Sequence, residues 1–237
     1  MDDKSKKLIV EIGKRSGLIF SFPTPIPPLP LPTPISILAS VIIPLLEGIT
    51  KLMQKNEELI EELILLGPKG SRLWRDIEEI KKINLSNSII YITPGTTKSL
   101  KDATGTKVYD LLKEIKNNSN RKHFIYIVEL DSWKDKQSEI KKIIKRDLRF
   151  LCHIGIVKGN SFIFFVYKAD IYTKPHNEIK EEFINDPDIG IHLQNIKKLS
   201  NKFRFIIGNP LNDNDLKTIF QEISSMINDE KANWLVS

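Results

Sequence analysis

Cysteine is almost absent from this sequence, since Cys152 is the only one among 237 residues. One thiol cannot form an internal disulfide or a site of several thiolates, so one chain supplies neither. A reducing, cytosolic compartment is the expectation that follows. The histidines also lack the spacing of metal ligands, and each is expected to be an ordinary surface or half-buried residue. They are His123, His153, His176 and His192.

Familiar catalytic motifs are missing as well. The sequence has no Gly-x-Ser-x-Gly elbow, no His-Glu-x-x-His motif and no paired-carboxylate motif, so serine, cysteine or metal hydrolysis is not expected. The net charge of +6 comes from lysines and arginines that are interleaved with acidic residues. Because no basic block forms, nucleic acid is not predicted as a partner.

Charge is absent from Ser16 to Leu46. Residues 22–34 alternate proline with apolar residues, and proline fixes φ and removes an amide donor, so polyproline II is expected there. Residues 35–46 are apolar and of helical or buried-strand type. That stretch is shorter than the roughly 20 apolar residues of a spanning helix, unless the proline run contributes.

Residues 1–55 therefore form a proline-rich apolar arm, and residues 56–237 form the main domain. Lysines and arginines precede the uncharged run, but its proline density disfavours a secretory signal. Three alternatives remain for residues 16–50: a monotopic or re-entrant membrane contact, an arm that packs on the domain or on a partner, and a spanning segment. The expected location is cytoplasmic, either free or at the inner face of a membrane.

The main domain alternates apolar strands with helices. Residues 54–66 fit both a helix and, at 63–66, a short buried strand, and local sequence does not separate the two. Elsewhere the spacing predicts helices at 72–83, 106–116, 137–149, 178–184, 191–199 and 213–227, and strands at 89–92, 124–130, 162–167 and 203–207. This alternation predicts an α/β fold, a mostly parallel sheet in three layers.

In such folds ligands bind beyond the carboxyl ends of the strands, so the loops there carry the functional information. Five loops qualify. They span residues 67–72, 93–99, 131–133, 168–172 and 208–212.

The first of these loops aligns with the phosphate-binding pattern Gly-x-x-x-x-Gly-Lys-Ser/Thr. Two glycines preserve the turn, and the candidate nucleotide contacts are Gly67, Lys69, Gly70 and Ser71. Residues 72–74 place arginine, leucine and tryptophan where the pattern has its closing glycine, lysine and hydroxyl. A glycine-rich strand-to-helix turn without a ligand is the alternative.

The second loop reads Ile92-Thr93-Pro94-Gly95. It matches an Asp-Thr-Pro-Gly turn at three of four positions, with Ile92 in place of the aspartate that supports Mg²⁺. Thr93 and Gly95 are the candidate contacts here. The polar residues 96–99 are either anion contacts or ordinary surface residues.

The fourth and fifth loops follow buried strands. Lys168-Ala169-Asp170 comes after an apolar strand and has Tyr167 before it, and Gly208-Asn209-Pro210 comes after the next strand. Lys168, Asp170 and Asn209 are the candidate contacts. A solvated loop carboxylate or a helix cap is the alternative for Asp170.

In this order, the motifs resemble those of the small Ras- and Arf-like P-loop GTPases, including bacterial relatives with an apolar N-terminal extension. The resemblance covers about residues 60–230. It implies that the Lys168 stem covers a guanine base, that Asp170 accepts hydrogen bonds from it, and that the two bends at 67–70 and 168–170 flank one groove. GTP or GDP is the implied cofactor, and no metal is predicted.

The resemblance is incomplete. Between Trp74 and Ile89 there is room for a helix but hardly for a switch loop and an edge strand, so a shortened, degenerate domain is expected. Two function classes follow: a hydrolysis-deficient GTPase-like module tethered by its arm to a membrane or protein partner, and a non-nucleotide α/β scaffold in a larger assembly.

Overall fold

A computed structural model of the chain contains one six-stranded sheet. The described residues are 61–69, 79–85, 88–96, 103–135, 137–167, 174–209, 212, 214–215, 218–219 and 221–223. The arm at 1–55, with its three alternatives, lies outside them. Among the helices of the described ranges, none is both long and apolar enough to cross a bilayer.

The sheet confirms the predicted mostly parallel α/β fold. Its strands are β1 (Glu61–Leu66), β2 (Lys81–Leu85), β3 (Ser88–Ile92), β4 (Arg121–Glu129), β5 (Ser161–Tyr167) and β6 (Lys202–Gly208). They are ordered β2-β3-β1-β4-β5-β6, and every neighbouring pair is parallel except β2 with β3. This arrangement is consistent with a P-loop NTPase-like fold.

Helices alternate with the strands, as the apolar spacing predicts. They are α1 (Ala103–Lys116), α2 (Leu130–Asp135), α3 (Gln137–Ile154), α4 (His176–Ile184) and α5 (Gly190–Leu199). Residues 214–215, 218–219 and 221–223, within the predicted C-terminal helix, are also helical. A Cβ at Gly190 would collide with the carbonyl oxygen of Ile184, so only glycine allows α5 to begin so close to the end of α4.

Both faces of the sheet are buried. On one face Tyr126 and Phe164 stack at 5.8 Å between ring centroids, and helices α1 to α5 contribute to the same apolar cluster. On the other face Leu65 and Ile125 are buried, and Gly208 leaves space for Ile219 of the C-terminal helical residues. Two-sided burial explains why these strands are continuous apolar runs instead of alternating ones.

The predicted helix at 72–83 is wrong at its end. Residues 81–85 form the edge strand β2, which pairs antiparallel with β3 in the register Ile83↔Ile90. The expectation that the chain has no room for an edge strand is also wrong, because only two residues separate β2 from β3. Such a short connection is typical of a β-hairpin.

Three further expectations are corrected. Residues 61–66 form a buried strand, because they pair with β3 and β4, and the helical alternative is wrong there. The loop expected at 131–133 belongs to helix α2. His123 is fully buried in β4 with its Nε2 4.0 Å from Glu61 Oε2, whereas the other three histidines are exposed or half-buried.

Candidate functional site

The five parallel strands end at one edge of the sheet, which we call the carboxyl edge. Strands β1 and β5 both lie parallel beside β4. The segments that follow Leu66 and Tyr167 therefore leave the sheet at the same end, as a shared groove requires. Gly70, Ser71, Lys168 and Asp170 lie outside the described residues, so their roles remain predictions.

At this edge the first two loops are bonded to each other. The amide of Lys69 donates to the carbonyl of Thr96 at 2.7 Å, and the amide of Thr96 donates to the carbonyl of Gly67 at 2.9 Å. Pro68 and Thr96 form a parallel bridge. We call this contact between residues 67–69 and residue 96 the loop crossing. It extends the pairing of β1 and β3 beyond the sheet.

The described part of the second loop, residues 93–96, is anchored at its beginning. Thr93 is fully buried, and its hydroxyl and amide both donate to the carbonyl of Leu65, at 2.8 and 3.3 Å. Ile92, in place of the aspartate of the resembling motif, is 1% exposed and belongs to the core. Gly95 is also buried. These contacts fix the turn against the end of β1.

Thr96 also reaches a buried carboxylate. Its hydroxyl donates to Oδ2 of Asp147, a residue of α3 that is 3% exposed. The same carboxylate accepts the hydroxyls of Tyr126 at 2.8 Å and Tyr109 at 2.9 Å, and the guanidinium of Arg146 lies at 3.3 Å. We call these five residues the Asp147 hub. It joins the second loop to β4, α1 and α3.

The hub is a buried cluster of titratable groups. Burial raises the pKa of the Asp147 carboxyl, while the hydrogen bond from Thr96 and the charge of Arg146 lower it. Burial also raises the pKa of Tyr126 and of Tyr109, and the charge of Asp147 adds to both increases. Both phenols are therefore neutral at physiological pH and can donate to Asp147.

The hub was not found from the sequence, although one signal was available. Asp147 lies on the apolar stripe of α3. The stripe is formed by Ile140, Ile144, Asp147 and Leu151, which follow one another at spacings of four, three and four residues. A carboxylate on the buried stripe of a helix requires donors from elsewhere in the fold. The tyrosines and Thr96 carried no comparable signal.

Asn209 begins the loop after β6. It is 4% exposed, and its amide donates to Oδ2 of Asp215 at 2.8 Å. Its carbonyl accepts the amide of Asn212 at 2.9 Å. The backbone of this candidate contact is thus held in a turn at the carboxyl edge.

Carboxylates also follow β4. The hydroxyl of Ser132 donates to Glu129 at 2.7 Å, and Asp131, which is 9% exposed, has one oxygen without a hydrogen-bond partner. Within the described ranges, however, no three His, Cys, Asp or Glu side chains are grouped so that they could hold a metal ion. These residues are therefore not assigned a ligand.

Comparison with known proteins adds a structural likeness. No protein-family model and no curated protein matches the chain. The fold is similar to a solved structure described as a probable GTP-binding protein, EngB, with a TM-score of 0.45 and 18% identity. The match covers 71% of this chain and 99% of that one. The fold assignment rests on the strand order and directions described above.

Proposed function

We propose that this chain is a GTPase-like regulatory module that does not hydrolyse GTP. The observation that carries the proposal is the loop crossing at the carboxyl edge. A phosphate-binding loop works by directing free backbone amides at the ligand. Here Pro68 has no amide hydrogen, and the amide of Lys69 is bonded to Thr96. The described part of the first loop therefore offers few free backbone amides to a phosphate group.

The sequence supports the same proposal. Leu73 and Trp74 replace the lysine and hydroxyl that a phosphate loop places on the phosphates and on Mg²⁺. Ile92 replaces the carboxylate of the second loop and is buried in the core. Three groups that would stabilise the charge of phosphoryl transfer are thus absent from their usual positions.

The base-recognising half is proposed to persist at Lys168, Asp170 and Asn209. A carboxylate that accepts two hydrogen bonds from guanine distinguishes it from adenine. Binding is expected to be weak, because the phosphates contribute little. GTP and GDP should therefore bind with similar affinity, and ATP should not bind.

Thermal unfolding of the full chain tests nucleotide recognition. Ligand at about ten times its Kd stabilises a fold by about 1.4 kcal/mol, so millimolar GDP and GTP should both raise the Tm. Asp170→Ala should abolish the shift, while Asp110→Ala, on the exposed face of α1, should retain it. Phosphate release from GTP should equal that of buffer with Mg²⁺. Release above that level, lost in Asp170→Ala, would overturn the proposal.

The alternative is a non-nucleotide α/β scaffold in a larger assembly. The loop crossing favours it too, because the amide of Lys69 is already bonded to Thr96. No Tm shift with GTP, GDP or ATP would support this alternative and reject nucleotide recognition.

We propose further that residues 1–55 tether the module to a membrane or a protein partner. The support is the uncharged run from Ser16 to Leu46, which is long and apolar for a solvated segment. Flotation of the full chain with anionic vesicles, compared with a variant in which Ile42, Ile43 and Leu45 are changed to serine, tests the membrane. Loss of flotation in the variant supports membrane contact, whereas equal recovery of both rejects it in favour of a protein partner.

A further inference from the structure

The loop crossing and the Asp147 hub share one residue, Thr96. Its backbone makes both backbone hydrogen bonds of the crossing, and its hydroxyl donates to Asp147. The same hydroxyl lies 3.4 Å from the carbonyl oxygen of Gly67, so it contacts both the crossing and the hub. The position of Thr96 therefore couples the first loop to the core.

The hub is a firm anchor for that residue. Tyr109, Tyr126 and Arg146 hold Asp147 from α1, β4 and its own helix, independently of Thr96. The remaining space beside the hub is about 10 Å³, which is at the lower limit for one water molecule. Water therefore does not readily replace the hydroxyl of Thr96 on the carboxylate.

We propose that the Asp147 hub is an autoinhibitory latch that keeps the loop crossing closed through Thr96. Released from Asp147, Thr96 is free to move away from the first loop. The Lys69 amide then loses its acceptor and becomes available to an anion. This inference rests on the proposed function only for the identity of that anion, a nucleotide diphosphate group.

The size of the effect follows from the bond that is removed. Loss of a donor to a buried acceptor changes an equilibrium by about fivefold to a hundredfold. Loss of the Thr96 hydroxyl should raise the open fraction of the crossing by that factor. The amides of Lys69 and Thr96 report this opening directly, because each is protected from hydrogen exchange while it is bonded.

Thr96→Val in the full chain is the test. Valine keeps the β-branched shape and removes only the hydroxyl, but this also removes the contact of that hydroxyl with Gly67. Tyr109→Phe is the matched control, because it also removes one donor from Asp147 but leaves the bond to Thr96. Asp147→Leu is the second latch variant, because it removes the acceptor and leaves the hydroxyl of Thr96 beside Gly67.

The first measurement is hydrogen exchange of Lys69 and of residue 96. Thr96→Val should exchange about fivefold faster or more at both amides, and Tyr109→Phe should stay within about twofold of the original chain. Unchanged protection in Asp147→Leu would overturn the latch, because any deprotection in Thr96→Val would then come from the lost contact with Gly67. Equal deprotection in Tyr109→Phe would also overturn it, because general loosening of the hub would then be the cause.

The second measurement is the binding of inorganic pyrophosphate by calorimetry. If the amides open and pyrophosphate binds at least about fivefold more tightly to Thr96→Val, both the latch and the phosphate-loop assignment are supported. If the amides open and pyrophosphate affinity does not rise, the latch is supported and the phosphate-loop assignment fails. The two proposals are thus tested separately.

Discussion

Buried carboxylates lie at both the carboxyl edge and the opposite, amino edge of the sheet. Their hydrogen-bond donors, however, come from different parts of the fold. At the carboxyl edge Asp147 accepts hydroxyls from α1, β4 and the second loop. At the opposite, amino edge Glu62 accepts the side-chain amides of Asn118 and Asn120 at 2.8 and 3.0 Å. Both donors there come from one turn, between α1 and β4. The carboxyl edge joins distant elements, whereas the amino edge closes a single turn against β1.

Charge is also distributed differently. The amino edge holds cations beside its acids: Arg121 lies 3.7 Å from Glu61, and Lys122 donates to the carbonyls of Asn118 and Asn120. Burial lowers the pKa of Lys122, and the charge of Glu62 opposes that shift. At the carboxyl edge the hydrogen bonds to the buried carboxylate come mostly from neutral hydroxyls. The integrity of that edge therefore depends more on hydrogen bonding than on ion pairing.

Among the predicted changes, loss of the Asp147 carboxylate should lower the free energy of unfolding most. Asp147→Leu leaves three buried hydroxyls without their acceptor and should lower the free energy of unfolding by about 3–5 kcal/mol in urea titrations. Asp110→Leu, whose carboxylate is exposed on α1, should change it by less than about 0.5 kcal/mol. Equal losses in the two variants would remove the basis for calling Asp147 a hub.

The matching change at the amino edge should cost less. Glu62→Leu leaves the amides of Asn118 and Asn120 without an acceptor, but Asn118 is exposed and Asn120 half-buried, so water replaces it. We expect a loss of about 1–2 kcal/mol by the same titration. A loss as large as that of Asp147→Leu would show that the two edges are equivalent.

Removal of a single hydrogen-bond donor from the hub should lower the unfolding free energy by still less. Tyr126→Phe should lower the unfolding free energy by about 1 kcal/mol in the original chain. In the Asp147→Leu background the same change should cost nearly nothing, because the hydroxyl has already lost its acceptor. A double-mutant cycle measures the difference, and additive losses would mean that the hydroxyl of Tyr126 does not act through Asp147.

Stability should also change gradually with pH. Because the pKa of Asp147 is raised above 3.8 in the fold, the folded state binds its proton more tightly than the unfolded state. This contribution to stability is complete below pH 3.8 and is lost as the pH rises through the folded pKa. The pKa values of Tyr109 and Tyr126, which face the same carboxyl, are raised further above this pH range.

Asparagine at this position has no such titration. The stability of the original chain relative to Asp147→Asn should therefore fall as the pH rises from about 4 to neutral, by at most about 1.4 kcal/mol per unit. Urea unfolding of both proteins across that range measures it. If the stability of the original chain relative to Asp147→Asn rises with pH instead, the fold favours the ionised carboxylate and this prediction is wrong.

The sheet was largely predictable because its strands are apolar runs. Residues 124–130, 162–167 and 203–207 are each within three residues of the observed ends of β4, β5 and β6, since burial on both faces requires such runs. The edge strand β2 was missed because Lys-Lys-Ile-Asn-Leu has little strand character of its own, and pairing with β3 determines its conformation.

The candidate site was less predictable for a different reason. The sequence marks the loops at the carboxyl edge, because they follow apolar strands, but it does not tell which backbone groups are already bonded. The loop crossing depends on Thr96 meeting Gly67, and the hub on Asp147 meeting two tyrosines. Such contacts between distant residues follow only from the assembled fold.

The placement of β1 has a consequence for synthesis on the ribosome. This strand precedes the others in the described part of the chain, yet it lies between β3 and β4. Its second neighbour is complete only when Glu129 has been translated. Until then the backbone hydrogen-bonding groups on one side of this apolar strand lack β4 as a partner. Nascent chains that stall before Glu129 should therefore need chaperones most.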